Sequence, residues 1–307
     1  MSMSESNSNS GSVAPSTSAA PTGSTDVALP TAFATMIESA RQTLVMMRYR
    51  RVLWYLPIAL LVLGGLTFLL ASRAHSRVSG HDLYCVIAWW GLGTVIVPWV
   101  TLFLGVQAVH GEIEDRTSQY LLLRPVRRVP LLLGKWLAIT VANSVLAVGA
   151  SAVLFAAIAA RPALWDNGYE LHLMWSFALV LSLGAMAYAA VAVFFGATFR
   201  RPLAWAAFFV VGLQMLTANL PVSAGLRQVT ITDHLRRMVL DLVEPDRSLA
   251  SALWPAERAE SLVGLESGAF RLESGSPLLN LLIFTGACLA IGCYRYAKTE
   301  YESRARD

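Results

Sequence analysis

The sequence predicts an all-α integral membrane fold: six transmembrane helices preceded by an amphipathic helix at the membrane interface. Three observations predict it. Only 14% of the 307 residues are charged, where soluble domains carry about 25%. Mean hydropathy is +0.53. Six stretches, 52–71, 83–108, 136–160, 173–198, 203–220 and 278–294, together hold 132 residues without one Asp, Glu, Lys or Arg. A charge at the centre of a bilayer helix costs about 2.5–3.5 kcal/mol on insertion scales, so exclusion on this scale is the mark of a lipid solvent. A soluble enzyme is excluded.

Residues 1–30 are rich in Ser, Asn, Thr, Gly, Ala and Pro, lack apolar periodicity and are expected to form a disordered cytoplasmic tail. They lack the charged start, apolar core and cleavage site of a signal peptide, so the first apolar segment, from Val52, is expected to act as an uncleaved signal anchor. In 31–51, Phe33, Met36, Ile37, Ala40, Leu44 and Met47 recur at helical spacing, with Arg41, Arg48, Arg50 and Arg51 towards the end. That pattern predicts an amphipathic helix in the headgroup layer.

The next domain, 52–295, holds the six spans. Each is about long enough to cross roughly 30 Å of hydrocarbon at 1.5 Å per residue. The last, 278–294, is short and is expected to extend to Pro277 and Arg295. Without water to satisfy the backbone, segments of this kind must be helical. Gly91, Gly93 and Pro98 interrupt span 2. They fit either a bend beside a pathway or close helix packing. The outer loop 221–276 contains Ile231, Leu235, Met238, Val239 and Leu242 at helical spacing, which predicts a short amphipathic helix there. Its expected place is the outer membrane surface, a partner or a packed loop. Residues 296–307 complete the chain as a cytoplasmic tail.

Orientation follows from the basic residues. With the N-terminus inside, the inner segments carry fifteen Lys and Arg and the outer ones nine, six of them in the long loop 221–276. Long loops count for little in this rule, so both termini are expected to be cytoplasmic.

Chemistry inside the spans is sparse. Cys85, Cys288 and Cys293 all fall within spans, and no cluster of metal-ligating residues accompanies them. No metal site and no catalytic residue is expected. Polar residues in or beside the spans are Gln107, Asn143, Ser144, Gln214, Thr217, Asn219 and Asn280. Such amides bind neighbouring helices more often than cargo, but Gln214 and Asn219, with Gly91, Gly93 and Pro98, are the candidates for a pathway. The absence of mid-membrane Asp, Glu, His and Arg from the spans speaks against an ion-coupled carrier.

The inner loop after span 2 reads HGEIEDRTSQYLLLRPVRRVPLLLGKW. Glu112, Glu114 and Asp115 favour a helix N-terminus, and Thr117 to Leu123 continue it until Pro125 disfavours helix at Arg124. Arg127 and Arg128 follow, with Lys135 where the chain returns to the bilayer. A short helix, acidic at one end, basic at the other and anchored at both ends to spans, can hand a push from a soluble partner to the membrane helices. No phosphate-binding loop is present, because the single Gly-Lys, Gly134-Lys135, is followed by Trp136 and has Val129 upstream where a Gly would be needed.

These residues resemble the inner loop of the permease subunits of ABC-2 type exporters. The shared pattern is an acidic residue (Glu112 or Glu114), Thr117, Tyr120-Leu121-Leu122, Arg124-Pro125-Val126 and Gly134-Lys135, with Arg116 where the family often has Gly. The segment leading into span 1, RQTLVMMRYRRVLW, and the turn FFGATFRRPLAW are similar to that family as well. The resemblance implies a six-span half-transporter in the inner (cytoplasmic) membrane that pairs with a second permease copy or paralogue and with cytoplasmic ABC ATPase subunits. It implies that 112–123 is a cytoplasmic coupling helix seated in the ATPase, with Glu112, Glu114, Asp115 and Arg116 in polar contacts and Tyr120 and Leu121 packing. Arg127, Arg128 and Lys135 either join that contact or face anionic lipid and fix the topology. No cofactor is implied for this chain, since ATP would be hydrolysed by the partner. The competing readings are an ATP-independent carrier or channel, or a membrane assembly factor.

Overall fold

The computed structural model describes residues 31–49, 51–73, 79–114, 128–165, 170–216, 230–243, 253 and 276–298. The predicted tail 1–30, the stretch 115–127 of the inner loop, most of 221–276 and residues 299–307 lie outside them. Among the described residues every regular element is helical: α1 (Ala32–Tyr49), α2 (Arg51–Arg73), α3 (Gly80–Ile87), α4 (Val97–Glu114), α5 (Arg128–Ala159), α6 (Leu171–Thr198), α7 (Pro202–Phe208), α8 (Ile231–Leu242) and α9 (Pro277–Lys298). Two π-helical segments, Ala88–Ile96 and Phe209–Leu216, continue α3 into α4 and extend α7.

Among the described residues four helices are long and apolar enough to cross a membrane: Gly80–Gly111, Arg128–Ala159, Leu171–Thr198 and Pro277–Lys298. They coincide with predicted spans 2, 3, 4 and 6. Predicted span 1 corresponds to α2, apolar helix over Pro57–Arg73, and predicted span 5 to α7 and the π-helical segment that extends it, apolar over Pro202–Gln214. The third span starts earlier than its charge-free stretch suggests, at Arg128, because Pro130 sits in the first turn, where its missing N–H would have had no helical partner.

The bundle is organised around α6, which packs against α4, α5, α7, α8 and α9. The run Ala187 to Ala190 is buried on every side, with Tyr188 among these residues at 0% exposure. Small residues let backbones approach, as membrane helices require when apolar burial alone gives no preference for helix over lipid. A Cβ on Gly105 of α4 would lie 2.4 Å from that of Ala192 on α6, and one on Gly196 would lie 2.9 Å from Val109 Cβ. By contrast α9 buries a single narrow seam, Leu281, Thr285, Gly292 and Tyr296. The large apolar side chains Leu61, Val62, Leu66, Val145, Trp175, Phe208 and Ile283 are exposed on the outside of the bundle, the arrangement expected where lipid is the solvent.

Helix α1 covers the segment read as amphipathic, but its packed face differs from the predicted stripe. Ser39, Ala40, Thr43 and Met47 are buried while Phe33, Ile37 and Leu44 are exposed. The helix crosses α5 at Gly134, where a Cβ would lie 2.4 Å from the Met36 carbonyl oxygen, and the Ser39 hydroxyl donates to the Leu131 carbonyl at 2.8 Å. Only small side chains fit that crossing, so the large apolar ones point away from the protein.

At the other end of the bundle, Ser79 caps α3 by accepting from the Asp82 N–H at 3.1 Å. His81 Nδ1 donates to Glu170 Oε2 at 2.6 Å, tying the start of α3 to the start of α6. Arg161 donates to the Ser72 carbonyl at 2.9 Å, joining the ends of α5 and α2.

Candidate functional site

Span 2 does not break at its glycines. Instead the turns widen over Ala88–Ile96. Pro98 accounts for this. It has no N–H to donate and its ring crowds the carbonyl one turn back, whereas a π-turn moves that carbonyl aside. Val97 N–H reaches the Leu92 carbonyl, and the Thr94 hydroxyl donates to the Trp89 carbonyl at 3.2 Å, five residues back in each case. A methyl placed on Gly91 would meet nothing closer than 3.9 Å, whereas Gly93 lies against Trp89 and Leu181. The wide turn swings Trp89 and Trp90 towards α8.

Helix α8 is the amphipathic helix expected in the outer segment, but it is buried against the spans. Ile231, Leu235, Met238 and Val239 are buried, and so are the polar Thr230, Thr232, Asp233, His234 and Arg236. Leu235 lies against Gly184, at the midpoint of α6, where a Cβ would meet Leu235 Cδ1 at 2.7 Å. Arg236, 0% exposed, holds its guanidinium 5.4 Å from the Trp89 ring centroid and 5.9 Å from that of Trp90. Arginine keeps its proton in proteins, so this is a charged group stacked on aromatic faces, a contact that strengthens as water is excluded. Asp233, one turn back, accepts from Arg237 at 2.9 Å.

The start of α8 meets the second π-helical segment. Gln214 Oε1 accepts from the Thr232 N–H at 3.2 Å and from the Thr232 hydroxyl at 3.0 Å, while the Tyr188 hydroxyl lies 3.2 Å from Thr232 Oγ1. Gln214, a pathway candidate in the sequence, therefore joins this polar cluster. So do the residues around Gly91 and Gly93, through Trp89. Pro98 is buried and acts on the same region through the helix geometry. Asn219 lies outside the described residues. Sequence reasoning missed Thr232, Arg236, Tyr188 and Trp89 as one site. The available signal was the string DHLRR at 233–237, whose charges stand on the same short helix as an apolar face.

Asn143, Tyr84 and Ser151 form hydrogen bonds within and between the helices. Asn143 donates to the Ile139 carbonyl at 2.9 Å within its own helix. Tyr84 and Ser151 hydroxyls are 2.6 Å apart, and Ser151 donates to the Met174 carbonyl at 3.3 Å, linking α3, α5 and α6.

The inner loop is described at its two ends. Helix α4 runs on through Glu112 and Glu114, so these acidic residues extend the C-terminal end of a membrane helix and do not begin a new one, as their helix-starting chemistry suggests. Asp115, Arg116, Thr117, Tyr120, Leu121, Arg124, Pro125 and Arg127 lie outside the described residues. Arg128 begins α5 and donates to the Ala297 carbonyl at 3.4 Å, at the end of α9, where cations suit the helix dipole. Lys135 is 2% exposed and its ammonium donates to the Ala108 carbonyl at 3.2 Å. Its site is inside the bundle, not on a lipid or partner surface. The Gly134-Lys135 pair thus fastens both α1 and α4 to the base of α5.

A lipid-facing helical bundle with few charges in its spans, a polar cluster inside it and two long helices flanking the inner loop is a multi-pass membrane protein. The chain matches the family model described as ABC-2 family transporter protein over residues 6–301 and belongs to that family. It is therefore a membrane permease of the ABC transporters. No individual curated protein matches it.

Proposed function

We propose that this chain is the non-catalytic permease subunit of an ATP-driven exporter, working in the inner membrane with both termini in the cytoplasm. It pairs with a second permease, forms part of the translocation path and takes its power stroke from a cytoplasmic ABC ATPase through the 109–130 loop. Six spans, with 52–71 and 203–220 crossing as the first and fifth, complete this reading.

The observation that carries it is the rigid mounting of the loop. The α4 helix extends to Glu114, and α5 leaves from Arg128 with its base locked by Gly134 against α1 and by Lys135 on Ala108. Force applied between those ends reaches α4 and α5 without loss in a slack connection, and both helices pack directly on α6. The family model supports the association with an ATPase. The lack of a phosphate-binding loop supports a separate subunit as the site of hydrolysis.

The test is affinity purification of the tagged chain in mild detergent. Glu112→Ala with Glu114→Ala should cut ATPase recovery by about tenfold, equivalent to about 1.4 kcal/mol, while membrane insertion is kept. Undiminished recovery would remove the docking role of these residues. Full transport by the chain alone in vesicles would return the carrier reading.

A further inference from the structure

Consecutive residues of an α-helix point about 100° apart, so their side chains do not face each other. Trp89 and Trp90 nevertheless bracket one point. The Arg236 guanidinium carbon lies 5.4 Å from the first ring centroid and 5.9 Å from the second. Both distances fall within the roughly 6 Å over which an aromatic face holds a cation. The two rings stand on the π-helical segment Ala88–Ile96, and π-turns inside α-helices are frequent at functional sites. The wedge between them has a dry end and an open end. Trp89 is 0% exposed, whereas Trp90 is 37% exposed, as are the apolar Val86 and Val95 of the same span to a similar degree.

The charge in the wedge comes from outside the spans. Helix α8 packs on α6 and α9 and brings in Asp233, His234 and Arg236 as buried residues, while 83–108, 173–198 and 278–294 hold no Asp, Glu, Lys or Arg. Ionisable groups at such depth are costly, and in membrane proteins they mark functional sites. Burial pushes the Arg236 guanidinium down to about 10, with Asp233 and Tyr188 opposing the shift, so it stays a cation at neutral pH. The Asp233 carboxylate also holds Arg237 at 2.9 Å. Two ring faces, a phenol and a carboxylate therefore all favour positive charge here.

We propose that Trp89 and Trp90 form an aromatic clamp for an organic cation, an ammonium head on an apolar chain, and that Arg236 is the clamp's tethered occupant. The proposal deepens the permease reading and rests on it. With α8 docked, the chain's own cation fills the wedge. When α8 withdraws, a membrane-dissolved cation enters past Trp90 and takes the place of Arg236. The swap exchanges one cation for another on the same rings, while Arg236 regains water.

The full-length protein in lipid nanodiscs tests this with two diazirine probes of equal chain length and equal head shape. One ends in trimethylammonium and the other in the uncharged tert-butyl group. After irradiation and digestion, adducts within 86–96 are quantified by mass spectrometry. They are divided by adducts within 278–283, an exposed apolar stretch of α9, which corrects for partition into the bilayer. The cation should exceed its neutral twin by at least about threefold in the wild type and by about tenfold or more in Arg236→Gln, where the competitor is gone. In Trp90→Leu the excess should fall below about twofold, and Trp90→Phe, with its weaker ring face, should lie between. Amide exchange in the middle of α6 is read alongside, and Trp90→Phe carries the test where Trp90→Leu disturbs that exchange. Equal labelling by the two probes in the wild type overturns the proposal and makes Arg236 a fixed structural cation. A preference that Arg236→Gln and Trp90→Phe leave unmoved overturns it as well. Neither failure touches ATPase co-purification, so the permease reading stands or falls separately.

Discussion

A methyl group on Gly134 would sit 2.4 Å from the Met36 carbonyl oxygen and 2.8 Å from Ser39 Cβ. Both obstacles are backbone or the first side-chain atom of a helix, so neither can swing aside as the end of a long side chain would. Gly134→Ala must therefore push α1 away from α5 and weaken the Ser39 bond to Leu131. Overpacking of this kind costs about 1–3 kcal/mol, and the better helix propensity of Ala returns up to about 1 kcal/mol. A net loss of about 1–2 kcal/mol is expected, read as a lower unfolding midpoint in detergent. A methyl on Gly286 of α9 would have nothing within 4 Å, and Gly286→Ala should leave the midpoint unchanged or raise it. Equal effects at the two positions would mean that the α1–α5 crossing has no such constraint. Lys135, a cation beside the Ala108 carbonyl on the last two turns of α4, ties α4 to α5, in line with the helix dipole.

Helix α8 is held by contacts of two kinds, and their separation can be measured. Its apolar face packs on α6 at Gly184, while Arg236 stacks on Trp89 and Trp90 of the first π-helical segment. A desolvated cation–π contact is worth about 2 kcal/mol. Arg236→Gln should therefore speed amide hydrogen exchange across 231–242 by roughly 30-fold, the equivalent of that energy, without altering exchange in the middle of α6. Unchanged exchange would show that Leu235 and its neighbours hold the helix unaided. The existence of α8 was legible from the spacing of Ile231, Leu235, Met238 and Val239, since a 3.6-residue period is a local property. Its burial was not. The amphipathic pattern asks only for an apolar surface opposite, and a membrane interface meets that demand as well as α6 does. What tips the balance is the pairing of its polar groups with Gln214, Tyr188 and Trp89, which are between eighteen and about 147 residues away in the chain. The form of span 2 was left open in the sequence for a related reason. Gly91, Gly93 and Pro98 signal an irregular turn, but whether it kinks or widens depends on how neighbouring helices satisfy the freed carbonyls.

At the scale of the whole molecule, the spans were the most legible feature because lipid excludes charge from every residue of a segment at once. Among the described residues four of them meet the length and hydropathy of a membrane span, and the other two predicted spans fall on α2 and on α7 with its π-helical extension, apolar over Pro57–Arg73 and Pro202–Gln214. The polar cluster was less legible, since it is assembled from α6, α8 and the two π-helical segments. Whether the shorter helices cross decides where every loop lies. If Pro57–Arg73 crosses, α1 and the connection between Arg73 and Ser79 are on opposite sides; if it does not, they share a side. Counted on six crossings, the distribution of Lys and Arg, fifteen against nine with most of the minority in one long loop, is the basis on which both termini are proposed to be cytoplasmic. A reporter fused after Asp307 should therefore read as cytoplasmic, and an impermeant thiol reagent should label a cysteine placed between Arg73 and Ser79 from outside intact cells. One placed at Thr31, ahead of α1, should be labelled only after permeabilisation. An external reading at Asp307 would make the number of crossings between the termini odd or invert the whole topology. Protection of the Arg73–Ser79 site in intact cells would leave Pro57–Arg73 on one face of the membrane and reduce the bundle by a span.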